Sequence, residues 1–76
     1  MPEVVSMVTE DKDLTMEQIQ GRLNQREVPW LATPSDGLAV MFTPKSGTGV
    51  SVFWDRGQPP APSFDAIVEF LASGPR

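Results

Sequence analysis

Residues 38–55, LAVMFTPKSGTGVSVFWD, place apolar side chains on both arms of a turn-forming PKSG, and no other stretch limits the fold so strongly. Side chains alternate across a strand, so Leu38, Val40 and Phe42 share one side with Val50, Val52 and Trp54 of the neighbouring strand. That side is the expected core. The opposite side carries Ala39, Met41, Thr43, Ser51, Phe53 and Asp55. Met41 and Phe53 are large apolar residues on the face that a small antiparallel sheet ordinarily gives to water, so something should cover them.

The pairing extends upstream. VPWLAT at 28–33 reads as a strand that Pro29 confines to a sheet edge or a strand start. PSDG at 34–37 supplies turn chemistry, with Pro34 fixing φ and Gly37 able to take positive φ. Residues 28–43 therefore read as a hairpin, and a second turn at 44–47 returns the chain into 48–55, giving a three-stranded antiparallel meander. EVVSMV at 3–8 suits a further strand at a sheet edge.

Two helices bracket the meander. Thr15 and Gln18 have the spacing of a capping box, Leu14 and Ile19 that of a hydrophobic staple, and Met16, Ile19 and Leu23 form a narrow apolar stripe over residues 15–25. Glu17, Gln18, Gln20 and Arg22 are then left to solvent. Gly21 within this helix costs about 1 kcal/mol relative to Ala, which either marks close approach of another backbone or is a tolerated weak position. Downstream, RGQPPAP at 56–62 cannot continue a ladder and should run extended in polyproline II style. Ser63 then caps a helix with Phe64, Ile67, Val68 and Leu71 on one face, closed by Gly74 and Pro75.

These elements define one α+β domain over residues 1–76: a small, mainly antiparallel sheet of three or four strands with two helices. A chain of this size buries only about 60% of the surface its unfolded state exposes, so the core is thin. With no cysteine and no histidine, disulfides and the usual nitrogen and sulfur metal ligands are missing, and packing or association must hold the fold. No metal or other cofactor is expected. The lack of cysteine fits a reducing cytoplasm, nothing at the start of the chain has the pattern of a signal peptide, and no stretch reaches the ~18 apolar residues of a membrane helix.

Function classes narrow by what is missing. Without histidine, cysteine or tyrosine, acid-base work would fall to carboxylates or lysine and nucleophilic work to serine or threonine. Lys45 and Ser46, adjacent on a turn, have poor geometry for a dyad, and so small a chain lacks room for a cleft; we expect no enzyme. KSGTG at 45–49 has its lysine and glycines in the wrong order for a phosphate loop and reads as a hairpin turn. Six scattered basic residues against ten acidic ones give a net charge of −4, which is not a nucleic-acid footprint. Arg56, Pro59 and Pro62 match the R-x-x-P-x-x-P spacing of SH3 ligands, but a connector between strand and helix explains the same prolines.

The covering of Met41 and Phe53 is the functional question. It is supplied by a helix on each side of the sheet, by another protein or copy of the chain, or by a small molecule, for which convergent polar groups are hard to find. The residues expected to bind protein are Trp30, Met41 and Phe53, with Phe70 off the stripe of the last helix. Glu10, Asp11, Asp13 and Glu17 form an acidic run that lacks the ligand pattern of a calcium loop and serves either as favourable charge near a helix start or, with Glu10, Asp11 and Asp13 as the binding residues, as an acidic contact surface for a basic groove on a partner. The expected function is a non-enzymatic module docking on a larger protein as an inhibitor, adaptor or small subunit, similar in size and acidity to proteins that phages or mobile elements use against host or defence enzymes. The alternative is a structural homo-oligomer or capsid-type accessory subunit.

Overall fold

A computed structural model of the chain describes residues 11–75. The strand expected at 3–8 lies outside the described residues. The element order is α1 (Met16–Gln25), β1 (Trp30–Pro34), β2 (Ala39–Pro44), β3 (Val52–Asp55) and α2 (Phe64–Ala72), and the strands form one antiparallel sheet in the order β1-β2-β3. The α+β class and the antiparallel sheet expected from the sequence are what the structure contains.

Helix α1 begins as its sequence dictates. Thr15 accepts from the Gln18 amide at 3.1 Å and Gln18 returns its side-chain carbonyl to the Thr15 amide at 2.9 Å, which completes the capping box. Its end is less conventional. The Glu27 amide donates to the Asn24 carbonyl and the Val28 amide to the Leu23 carbonyl, a Schellman arrangement in which the left-handed position is held by Glu27, at φ 59°, instead of glycine. Val28 and Leu23 are both buried, and this fixes the direction in which the chain leaves for β1. Gly21 faces open space, so its place in the helix reflects tolerance and not close approach.

Register sets the two faces of the sheet. Trp30 opposes Pro44, Ala32 opposes Phe42, Val40 opposes Trp54 and Phe42 opposes Val52; these residues form the inner face. Ile19 and Leu23 of α1 and Phe64, Ile67, Val68 and Leu71 of α2 join Val28, Trp30, Val40, Phe42 and Trp54 in one buried cluster. Both helices therefore cover the same face, and the arrangement with one helix on each side of the sheet does not occur. Trp54 lies at the centre, stacked against Phe42 at 6.3 Å and Phe64 at 5.5 Å between ring centroids, with its indole N–H donated to the Pro62 carbonyl at 2.9 Å.

The ends of the meander differ from expectation. The loop between β2 and β3 is longer than a PKSG turn and β3 starts only at Val52, so Val50 is exposed instead of pairing into the core. Gly47 and Gly49 both take positive φ there, and the Ser46 hydroxyl bonds within the loop to Thr48. Leu38, at the opposite end of the ladder, is also partly exposed. The connector after β3 is not a straight polyproline run: it turns at 56–57 and bends through 58–60, with a cis bond between Pro59 and Pro60.

Candidate functional site: the outer face and the edges of the sheet

The residues that alternate with the core positions lie on the outer face. Leu31 stands opposite Thr43, Thr33 opposite Met41, Met41 opposite Phe53, and Ala39 opposite Asp55. Leu31 is 45% exposed and Phe53 66% exposed, while Met41 on the central strand is partly covered by its neighbours. No element among the described residues packs on this side. Met41 and Phe53 thus form a direct apolar pair with Leu31 diagonal to Met41, on three strands whose only charged outer side chain is Asp55, at the end of β3. Phe53, two-thirds exposed, is the most exposed large apolar residue among those described.

The other residues expected to bind protein are not gathered there. Trp30 is 5% exposed and belongs to the inner face, because the strand starts one residue after Pro29 and its parity turns the indole toward α1. Phe70 is 49% exposed but lies on α2, in the helix layer on the other side of the sheet. Asp11 is half-buried, and its carboxylate accepts the Phe64 amide at 2.9 Å, satisfying the first orphan N–H of α2 while Ser63 accepts the Ala66 amide. It has an internal task. Asp13 is exposed, and Glu10 lies outside the described residues.

Arg56 is spoken for within the fold. Only 7% exposed, it stacks 5.6 Å from the Trp54 ring and donates Nε to the Leu38 carbonyl at 2.8 Å and Nη1 to the carbonyls of Asp11 and Leu14 at 2.9 and 3.0 Å. Among the described residues no carboxylate pairs with it, and oriented carbonyl dipoles take the place of its water. The same contacts pin residues 11–14 to the end of the sheet and rule out the SH3-ligand reading, which needs this guanidinium on the surface.

The sheet edge at β1 is closed by a side chain. Gln20 donates from Nε2 to the Trp30 carbonyl at 2.9 Å and accepts the Ala32 amide on Oε1 at 2.8 Å, so its amide group does what a neighbouring strand would do. Sequence spacing left Gln20 to solvent; its role depends on where β1 lies, which no local pattern reveals.

Among the described residues, no group of three or more carboxylates is placed to hold a metal ion, and no helix is long and apolar enough to cross a membrane. A shallow cleft of about 240 Å³ lies between the end of α1 and the β2–β3 loop, lined by Asn24, Glu27, Val28, Pro29 and Lys45. It is smaller than the ~300–1,000 Å³ of usual ligand sites, and Lys45 is engaged there with Asn24 at 3.3 Å.

Comparison with known proteins adds no relative: no family model, curated protein or solved structure matches this chain.

Proposed function

We propose that this chain is a non-enzymatic protein-binding module that docks on a larger protein through the outer face of its sheet, acting as an inhibitor, adaptor or small subunit. The supporting observation is the exposure of Phe53 beside Met41 and Leu31 on a face that neither helix covers. Aromatic residues and methionine are enriched in the desolvated centres of interfaces, and an apolar cluster without charge suits a partner whose own contact surface is apolar. Binding through it is weakly dependent on salt, whereas a contact carried by the acidic residues is weakened strongly.

The test is capture of partners on immobilised native chain, compared with a Met41→Asp, Phe53→Asp variant shown to be folded by circular dichroism. The expected result is loss of a partner with the variant and its retention by an Asp13→Asn control. Equal recovery by native chain and double variant overturns the reading.

A further inference from the structure

We draw no further inference here: the strongest candidate, the edge of β3 that has no neighbouring strand among the described residues and lies beside the exposed Phe53, carries nothing, because nothing in the structure shows what covers it.

Discussion

The side-chain amide of Gln20 sits against the main chain of Trp30, donating to its carbonyl at 2.9 Å while also holding the Ala32 amide. A helix residue thereby completes the hydrogen bonding of an edge strand, and α1 is fixed to β1 by polar contacts as well as by the burial of Ile19 and Leu23. Gln20→Ala leaves both main-chain groups without these partners and should lower stability by about 1–3 kcal/mol in urea denaturation. Gln20→Glu keeps the shape but loses the donor to Trp30, and should cost more than half as much.

Arg56 should be the most sensitive polar residue. Arg56→Met retains a stem over Trp54 but abandons the carbonyls of Leu38, Asp11 and Leu14, and a loss of at least about 3 kcal/mol is expected. Arg56→Lys should rescue little, because a single ammonium cannot bridge carbonyls on both sides of the site as a planar guanidinium does. The urea midpoint measures the loss, and the Phe64 amide should exchange faster in both variants as Asp11 is released.

The two faces of β3 should respond oppositely to substitution. Trp54→Ala removes a ring enclosed by Phe42 and Phe64, with an expected cost of about 3–5 kcal/mol. Phe53→Asp, one residue earlier, should change stability by no more than about 0.5 kcal/mol. Thermal melts of the two variants check the assignment of inner and outer sides.

Helix α1 contains two positions where stability can be gained. Gly21 has open space around the site of an added Cβ, so Gly21→Ala should stabilise by about 0.5–1 kcal/mol. Glu27 holds a left-handed conformation that costs a side-chain-bearing residue about 1 kcal/mol, so Glu27→Gly should raise the melting temperature while Glu27→Ala should leave it nearly unchanged.

Local signals were legible and non-local ones were not. The capping box at Thr15 and Gln18, the Ser63 cap and the stripe from Phe64 to Leu71 are written within single helical turns, and the structure repeats them. The alternation through Val40, Phe42, Val52 and Trp54 likewise identified the inner face. The end of α1 was less legible because Glu27 stands where glycine would have announced it. The start of β3 was misplaced because Thr48 to Ser51 have strand-like composition but two glycines with positive φ on either side of Thr48 divert the chain. Arg56 resembled a surface motif since its partners are main-chain carbonyls, one of them 45 residues away, and carbonyls carry no mark in a sequence. For the candidate site, parity alone singled out Met41 and Phe53; the common side of the two helices, which leaves that face bare, depends on long-range packing. Trp30 shows the limit of residue type as a guide, for the same indole that suits an interface suits a core.

An incoming strand that sought to extend the sheet beside β1 would meet the Gln20 amide already seated on the Trp30 carbonyl and the Ala32 amide, and would have to displace it. A single glutamine thereby discourages sheet growth at that margin, a task that proteins more often give to a charge or a proline.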